Sequence, residues 1–217
     1  MNRHIYERYG KRTLDLFICG VGLVATVPIH VACAAAVRIT SGRPIYFYQE
    51  RTGRHGTPFK IVKFRTMTVG TDETSGGYPL PSAVTPVGRW LRRTSLDELP
   101  QLINIVRGEM SLVGPRPGLP SQAVRYTPEQ RGRLDVRPGL TGLAQIEGRN
   151  DAPWSKRIES DLRYVRSLSL WNDLRILALT IPASLSGSGQ AHGQTAAEVD
   201  DLSPTRLAPP GWPEIDE

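Results

Sequence analysis

Residues 16–37 read LFICGVGLVATVPIHVACAAAV and include no Asp, Glu, Lys or Arg. As one straight helix, a stretch of this length extends about 33 Å, which is enough to cross the hydrocarbon core of a bilayer. The sequence therefore predicts an apolar helix close to the N-terminus. Three structures are compatible with it: a spanning helix, a secretory signal cleaved near residues 32–34, and a re-entrant hairpin whose two arms enter and leave by the same face.

Pro28 lies in the middle of the apolar stretch and predicts a break of the membrane helix. Inside a helix it removes one hydrogen bond and collides with the carbonyl group of Val24, at a cost of about 3 kcal/mol. We therefore expect a sharp bend at Pro28. Because lipid offers no hydrogen bonds, Thr26 and the packed protein below must satisfy the freed backbone groups.

The charges on either side of the apolar stretch favour the hairpin. A spanning helix would carry one basic set across the membrane, against the positive-inside tendency, whereas a hairpin keeps both sets in the cytoplasm. The two cysteines, Cys19 and Cys33, would lie about 21 Å apart on one helix, too far for a disulfide, and nothing else indicates an oxidising compartment. The span ranks second and the cleaved signal third. The basic sets are Arg3, Arg8, Lys11 and Arg12 before the stretch, and Arg38, Arg43, Arg51, Arg54, Lys60, Lys63 and Arg65 after it.

The rest of the chain is basic and rich in arginine. Of the 27 basic residues 23 are Arg, and the net charge of the 217 residues is +6. With 39% hydrophobic residues, the chain is neither a multi-span membrane protein nor a disordered polymer. The planar guanidinium group pairs with the oxygens of a phosphate, so this composition suits a phosphate-bearing partner; a G·C-rich coding bias explains the same excess.

The sequence divides into three regions: a re-entrant membrane helix over residues 1–40, a cytoplasmic catalytic domain over 41–186, and an acidic, Pro/Gly-rich tail over 187–217 that is predicted to be disordered. The expected fold class is α+β and mainly helical, with the membrane hairpin packed on a small globular domain. That domain should contain a β-hairpin over 45–64, a helical piece over 99–106 that Gly108 closes, amphipathic helices over 121–135 and 154–168, and a helix over 168–181 that suits either the membrane interface or the core.

Ser95-Leu96-Asp97-Glu98 is the first candidate for chemistry. Its structural interpretation is a capping box, in which Ser95 and Glu98 cap the start of a helix. Its chemical interpretation is a reactive centre beside Arg89, Arg92 and Arg93. Because Asp is ionised at neutral pH, it can attack phosphorus without a base, while Arg and a divalent cation neutralise the phosphoryl oxygens.

Gly114-Pro115-Arg116-Pro117 is the second candidate. Two prolines fix the backbone on both sides of Arg116, which reduces the entropy that is lost when this side chain binds an anion. A purely structural turn is an equally valid interpretation. The four histidines show no metal-ligand spacing, and we find no Gly-rich nucleotide loop.

Taken together, these motifs resemble the bacterial sugar transferase family, the monotopic polyprenyl-phosphate phosphoglycosyl transferases, over roughly residues 8–186. Each motif alone is weak, but the set in this order is highly specific. The family often has Ser before the proline of the apolar stretch, whereas this chain has Val27. The matching stretches are KRTLD at 11–15, the apolar run with Pro28, QERTG at 49–53, FKIVKFRTM at 59–67, SLDELPQL at 95–102, SLVGPRP at 111–117 and RPGLTGLAQ at 137–145.

The resemblance implies transfer of a phospho-sugar from a UDP-sugar to polyprenol (undecaprenyl) phosphate, with release of UMP, through a covalent aspartyl intermediate. It further implies the inner membrane as location, with the catalytic domain in the cytoplasm, initiation of cell-surface polysaccharide or glycoconjugate synthesis, and downstream glycosyltransferases as candidate partners. The implied roles are Asp97 as nucleophile and holder of Mg²⁺, Glu98 as its assistant with the metal or the lipid-phosphate proton, Lys63, Arg92 and Arg116 as phosphate contacts, and Arg137, Gln145 and Arg149 as nucleotide contacts.

A non-enzymatic alternative remains at this point: a membrane-anchored, Arg-rich protein that docks anionic lipid or nucleic acid. Such binding should weaken steeply with salt and should not depend on Asp97. The paired carboxylates distinguish the two hypotheses, because a simple anion binder would not place acids among its cations. On the enzymatic hypothesis no nucleic acid is a partner.

Overall fold

The computed structural model describes residues 5–71, 81–148, 152–185 and 200–205. The fold is a mainly helical α+β structure with a long N-terminal apolar helix and two small sheets, which confirms the predicted class at that level. The helices are α1 (Lys11–Ser41), α2 (Pro86–Arg93), α3 (Leu102–Arg107), α4 (Pro120–Ala123), α5 (Leu143–Ile146), α6 (Trp154–Arg166) and α7 (Leu170–Leu185). The strands are β1 (Tyr46–Thr52), β2 (Pro58–Phe64), β3 (Ser111–Val113) and β4 (Gly139–Thr141).

Helix α1 continues without interruption from Lys11 to Ser41, with Pro28 inside it. Any change of direction at Pro28 is therefore a bend within one helix and not a loop between two. The Thr26 hydroxyl donates to the carbonyl oxygen of Gly22, four residues earlier, at 2.7 Å. Hydrogen bonds of this kind from Ser and Thr often bend helices. This bond goes to Gly22 and not to Val24, whose carbonyl group loses its partner at the proline.

One face of α1 lies against the rest of the protein along the whole helix. Its buried and half-buried positions recur every three or four residues, which is the period of a single helical face. The other faces are exposed: 76% of Val24, 70% of Phe17 and 62% of Val31 are accessible. The inward face consists of Lys11, Asp15, Cys19, Leu23, Thr26, His30, Cys33 and Val37.

The predicted β-hairpin is confirmed. Strands β1 and β2 are antiparallel, with Tyr46 opposite Phe64 and Thr52 opposite Pro58. The buried Asn104 of α3 fastens the hairpin to the helices, because its side chain accepts from the backbone N–H of Val62 at 3.1 Å and donates to the carbonyl oxygen of Lys60 at 2.8 Å. Strand β2 is thereby held next to the segment that follows α2.

The helical piece predicted over 99–106 is confirmed and starts earlier. A 3₁₀ segment over Leu96–Gln101 runs directly into α3, and Gly108 ends the helix with φ 87°. Pro100 lies inside the 3₁₀ segment, where the missing N–H of proline is tolerated near a helix start. This segment carries the Asp97–Glu98 pair.

The single amphipathic helix predicted over 121–135 is wrong. The chain forms the short helix α4 and, after an irregular stretch, a 3₁₀ segment over Gln130–Asp135. The physical reason is Pro128, which disfavours helical backbone at the residue before it. In contrast, the helices predicted over 154–168 and 168–181 are present as α6 and α7.

Helix α7 combines the two interpretations that the sequence allowed. Asp173 and Ile176 are buried in the core, whereas Trp171 is 81% exposed and Leu179 is 43% exposed. A helix with one buried face and exposed apolar residues on another is suited to lie between a protein core and a lipid surface.

Part of the predicted disordered tail is ordered. Residues 200–205 lie against the domain, with Leu202 buried beside Tyr126 and Trp154. Arg125 donates to the carbonyl oxygens of Leu202 and Ser203 at 2.8 and 2.6 Å. The other residues after 185 lie outside the described part of the chain, so for them the prediction of disorder stays a prediction.

Candidate active site

Four elements bring five of the predicted site residues together. Strand β2 supplies Lys63, helix α2 supplies Arg92, the 3₁₀ segment supplies Asp97 and Glu98, and the loop after β3 supplies Arg116. Three cations therefore surround two adjacent carboxylates. The contacts join residues up to 35 positions apart in the sequence.

Asp97 is buried, with 8% of its surface exposed, and within the described residues its carboxylate accepts no hydrogen bond and forms no ion pair. Burial raises the pKa of Asp97 to about 6, against the lowering effect of the charge of Lys63 and with a further increase from Glu98. At pH 7 the carboxylate is therefore mostly ionised. An ionised carboxylate with unused lone pairs, inside a ring of cations, can act as a nucleophile toward an electrophilic phosphorus.

Glu98 has the opposite environment. Its Oε1 atom accepts from Lys63 Nζ at 2.6 Å and from Arg116 Nη2 at 2.8 Å. Burial by itself would raise the pKa of Glu98, but the charges of Arg116 and Lys63 and their hydrogen bonds outweigh burial and hold this pKa well below its usual range. Glu98 is thus a permanent anion that fixes the positions of two cations. In return, its charge raises the pKa of Arg116.

The backbone before the acids is strained. Ser95 has φ 56° and ψ 14°, a left-handed conformation that costs a non-glycine residue about 1 kcal/mol or more. Its side chain does not cap the segment, and the Glu98 side chain points to Lys63 and Arg116. The capping-box interpretation is therefore wrong, because the ion pairs of Glu98 compete successfully with the backbone N–H groups. Strain of this kind is common at functional sites.

The surrounding cations are themselves held in place. Arg92 Nε donates to Thr66 Oγ1 at 2.8 Å, which ties the last turn of α2 to the end of β2. Lys63 is carried by the strand that Asn104 fastens to α3. Arg116 is the most accessible of the site's paired cations, with 40% of its side chain exposed against 18% for Lys63. An incoming anion would therefore meet Arg116 first.

The other predicted contacts lie elsewhere or outside the described residues. Arg137 Nε donates to the Gly108 carbonyl oxygen at 2.8 Å, and burial, followed by the charges of Arg12 and Arg54, lowers the pKa of Arg137. Gln145 Nε2 donates weakly to the Leu140 carbonyl oxygen at 3.3 Å. In the described part of the chain no hydrogen bond or ion pair joins either side chain to the acids. Arg149 lies outside the described residues.

One feature of Gln145 is relevant to binding. Its Oε1 atom is buried and has no hydrogen-bond partner among the residues that the structure describes. An unsatisfied buried acceptor costs about 1–3 kcal/mol and is therefore a position where a ligand donor would be accommodated. This observation does not test the nucleotide contact predicted for Gln145, which stays a prediction.

The donor set limits how a divalent metal could bind. Among the residues that the structure describes, no three His, Cys, Asp or Glu side chains cluster in a way that could hold a metal ion by themselves. Mg²⁺, however, is commonly bound by one or two carboxylates together with substrate phosphates. The unengaged carboxylate of Asp97 fits that mode, whereas Glu98 Oε1 is already occupied by two cations.

Sequence reasoning missed the residues beneath the Arg116 loop. Arg133 and Asp161 form a buried ion pair at 2.6 Å, and Arg133 Nη2 also donates to the Arg116 carbonyl oxygen at 2.8 Å. The two residues are 28 positions apart, in segments that read as ordinary charged amphipathic helices. No local pattern could have identified them.

Known proteins that are similar to this chain are described as sugar transferases. The family model described as "Bacterial sugar transferase" matches residues 6–187. The chain is 44% identical over 179 residues to the "Uncharacterized sugar transferase EpsL" of Bacillus subtilis (strain 168). The aligned region covers 82% of this chain and 89% of that protein. It is 40% identical over 186 residues to a "UDP-glucose:undecaprenyl-phosphate glucose-1-phosphate transferase" of Caulobacter vibrioides. Here the aligned region covers 81% of this chain and 70% of that protein. A protein of the same description from Klebsiella pneumoniae is 44% identical over 181 residues, but the chain spans only 39% of its length.

Proposed function

The chain belongs to the bacterial sugar transferase family, and we propose that it is an undecaprenyl-phosphate sugar-1-phosphate transferase that initiates exopolysaccharide synthesis. The enzyme moves a sugar 1-phosphate from a UDP-sugar to undecaprenyl phosphate and releases UMP. The observation that carries this proposal is the unequal pair of carboxylates: Asp97 is buried and unengaged, and Glu98 is bound by two cations. A protein that only docks anions gains nothing from such a pair.

The proposed reaction has two displacements at one phosphorus atom. A carboxylate oxygen of Asp97 attacks the sugar-bearing phosphorus of the UDP-sugar, and the bond from that phosphorus to the bridging oxygen breaks. UMP leaves with the bonding electron pair, and the sugar phosphate stays on Asp97 as an acyl phosphate. A phosphate oxygen of undecaprenyl phosphate then attacks the same phosphorus, and its bond to Asp97 breaks to regenerate the carboxylate.

The cations stabilise the charge that moves during both displacements. Arg92, Lys63 and Arg116 lie close enough to Asp97 to lower its pKa, so they also lie close to phosphoryl oxygens on a phosphorus that bonds to it. Glu98, which carries a permanent charge, holds Lys63 and Arg116 in position. The proton-transfer role that the family resemblance allowed for Glu98 stays a prediction, although a carboxyl group whose pKa is held this low is a weak base.

Mg²⁺ is a proposed cofactor. Asp97 would hold it together with phosphate oxygens of the substrate, and the ion would neutralise part of the pyrophosphate charge. The protein's own contribution is to keep Asp97 ionised and to orient the three cations around it.

We further propose that α1 enters one leaflet and returns to the same side. Both ends of the helix contact the same domain. At the start Arg12 Nη1 donates to the Ile105 carbonyl oxygen at 2.6 Å, and at the end Arg65 donates to the carbonyl oxygens of Ser41 and Gly42. A helix that crossed the bilayer would separate its ends by the full membrane thickness. The apolar middle of the helix, by contrast, is mostly exposed.

The exposed aromatic and apolar side chains extend this membrane face. Trp171 and Tyr9 are 81% and 61% exposed, which suits amphipathic aromatic rings at the lipid headgroups. The domain would then face the cytoplasm of the inner membrane, where a cytoplasmic sugar nucleotide meets a membrane-held lipid phosphate. Its lipid-linked product is the substrate for downstream glycosyltransferases.

The test uses the full chain in detergent or nanodiscs with a panel of UDP-sugars and undecaprenyl phosphate, and measures UMP. We expect UMP release with at least one UDP-sugar. Without the lipid acceptor, we expect a single burst of UMP in an amount equal to that of the enzyme, and mass spectrometry should detect a sugar-phosphate adduct on Asp97. Asp97→Asn should abolish both, whereas the exposed Asp135→Asn should keep both. Product formation without any adduct, or an active Asp97→Asn variant, would contradict the covalent mechanism.

A further inference from the structure

The loop over residues 114–118 is held by its carbonyl groups. Pro115 and Pro117 have no backbone N–H, so this loop can donate few hydrogen bonds, and the body of the protein donates to it instead. Four successive carbonyl oxygens accept: Pro115 from Gly139 N at 2.9 Å, Arg116 from Arg133 Nη2 at 2.8 Å, Pro117 from Arg51 Nη1 at 3.3 Å, and Gly118 from Thr52 N at 3.0 Å.

Arg133 donates to the backbone carbonyl group of Arg116, the residue whose side chain is the accessible cation of the site. It is 1% exposed, and all three of its guanidinium nitrogens are used. Nε and Nη2 donate to Asp161 Oδ2 at 3.0 and 2.6 Å, Nη1 donates to the Tyr126 hydroxyl at 2.6 Å, and Nη2 also reaches the Arg116 carbonyl oxygen. The guanidinium carbon lies 5.3 Å from the centre of the Tyr126 ring and 6.0 Å from that of Trp154.

The loop is packed closely against this group. A Cβ atom at Gly118 would lie 2.5 Å from the Tyr126 hydroxyl oxygen and 3.5 Å from Arg133 Nη1. Tyr126 is completely buried. A displacement of the Arg133–Tyr126 pair towards the loop would therefore push on the loop backbone, and with it on the base of the Arg116 side chain.

A buried ion pair gives little stability compared with well-packed apolar residues of the same size. The Arg133–Asp161 pair is 1% and 2% exposed, so it carries the full cost of desolvation. What an apolar pair could not do is donate a hydrogen bond to the carbonyl group of Arg116. This bond is the feature that links α6, which carries Asp161, to the candidate active site.

We propose that Arg133, oriented by Asp161, is a positioning residue for Arg116 and so for the phosphate of the sugar nucleotide. The inference rests on the proposed function. Arg133 does not touch the substrate; it fixes the backbone of the loop so that the Arg116 guanidinium meets both Glu98 and the incoming phosphate. Misplacing such a group by about 1 Å can reduce the rate about 100-fold.

The test is a double-mutant cycle on kcat/KM for UMP release. Arg133→Met and Arg116→Lys are measured singly and together, and Arg116→Lys keeps a charge so that residual activity stays measurable. If Arg133 acts through Arg116, Arg133→Met lowers kcat/KM by about 10–100-fold alone and by much less in the Arg116→Lys background. Equal losses in both backgrounds, or no loss, would overturn the proposal.

Arg157→Met is the matched control. Arg157 also stacks on Trp154, at 4.9 Å, and bonds to the Ala152 carbonyl oxygen, but it has no hydrogen bond to the loop in the described residues. Arg157→Met should lower kcat/KM only slightly, and by the same factor whether position 116 is Arg or carries Arg116→Lys. A cycle for Arg157 that is as non-additive as that for Arg133 would show a general packing effect and would also overturn the proposal.

A second measurement does not depend on activity. In the double variant Arg133→Met/Asp161→Leu the buried charges are removed together, so the protein should fold. Amide hydrogen exchange of the peptide over residues 112–122 should then become faster than in the wild type, and faster than in Arg157→Met. Unchanged exchange would contradict the positioning role. A wild-type chain that releases no UMP from any UDP-sugar would instead refute the proposed function.

Discussion

Asp97 and Glu98 are neighbours with the same functional group, and their environments give them opposite proton affinities. Asp97 is buried without a hydrogen-bond donor among the described residues, so its pKa is about 6, whereas two cations hold the pKa of Glu98 far below that. Separation of two titratable groups in this way commonly assigns different roles to them in one reaction. Here it supports the roles proposed above, covalent chemistry for Asp97 and charge organisation for Glu98.

This difference predicts a pH dependence of activity. In the proposed mechanism only the ionised form of Asp97 attacks phosphorus, so kcat/KM for the UDP-sugar should fall about tenfold per pH unit below about 6. Glu98 stays ionised throughout this range and adds no second decline. Initial rates of UMP release between pH 5 and 8, in buffers of constant ionic strength, measure it. A flat profile down to pH 5 would place the pKa of the nucleophile near its ordinary value.

A stability prediction follows from the same pKa. Because the pKa of Asp97 rises on folding from 3.8 to about 6, the folded state binds the proton more tightly, and stability falls as pH rises through this interval. Asp97→Asn should therefore raise the free energy of unfolding at pH 7 by about 1–3 kcal/mol, and the gain should vanish near pH 4. Thermal denaturation of both proteins at the two pH values tests this. A variant less stable at pH 7 would show that the nearby cations, and not burial, dominate.

At the scale of elements, α1 is fastened to the domain at its first residue. Lys11 Nζ donates to the Val113 carbonyl oxygen at 2.8 Å, to the Tyr164 hydroxyl at 3.0 Å and to Asp173 Oδ2 at 2.7 Å. The hydroxyl of Tyr6 donates to the same Asp173 oxygen at 2.6 Å. One buried network thus joins helix α1, strand β3, helix α6 and helix α7.

Removing one partner of this network should be costly. Lys11→Met leaves the Asp173 carboxylate buried without its cation, and we expect a loss of about 3–5 kcal/mol in unfolding free energy. Lys11→Met/Asp173→Leu should recover a large part of that loss. The control is Lys156→Met, whose pair with Glu159 is 62% and 57% exposed and should contribute less than about 1 kcal/mol. Similar losses for Lys11→Met and Lys156→Met would show that the network does not hold α1.

At the scale of the whole molecule, the contacts at both ends of α1 support the proposed re-entrant topology. Glu7→Cys and Thr40→Cys place single labels before and after the apolar stretch, in a background in which Cys19 and Cys33 are replaced by Ala. A re-entrant helix exposes both labels to a membrane-impermeant maleimide on the cytoplasmic side only, in inverted vesicles. A spanning helix exposes one label on each side, which is the result that would contradict the proposal.

The segment over residues 200–205 closes the structure on the side of α6. Leu202 is 5% exposed beside Trp154, and Asp201 accepts from the backbone N–H of Ser155 at 3.0 Å at the start of the helix. Leu202→Ala should lower the unfolding free energy by about 2–3 kcal/mol because it removes a buried side chain. The exposed Thr205→Ala is the control and should have little effect. Equal melting temperatures for both variants would mean that the segment does not dock in solution.

The sequence alone determined the features that depend on local patterns. The apolar stretch around Pro28 fixed the existence of α1, alternating and β-branched residues fixed the hairpin, and helical periodicity fixed α6 and α7. The order of the motifs identified the family and the Asp97–Glu98 pair. One pattern misled: the charged stretch over 121–135 has helical periodicity, but Pro128 interrupts it.

Only the tertiary structure decided which carboxylate is engaged. The cations that bind Glu98 come from positions 35 residues before it and 18 after it, and the Arg133–Asp161 pair spans 28 residues. Propensity and periodicity describe interactions within about one helical turn or one hairpin. Burial and charge pairing depend on which distant segments the fold brings into contact, and these two quantities set the pKa of Asp97, the state of Glu98 and the support of Arg116.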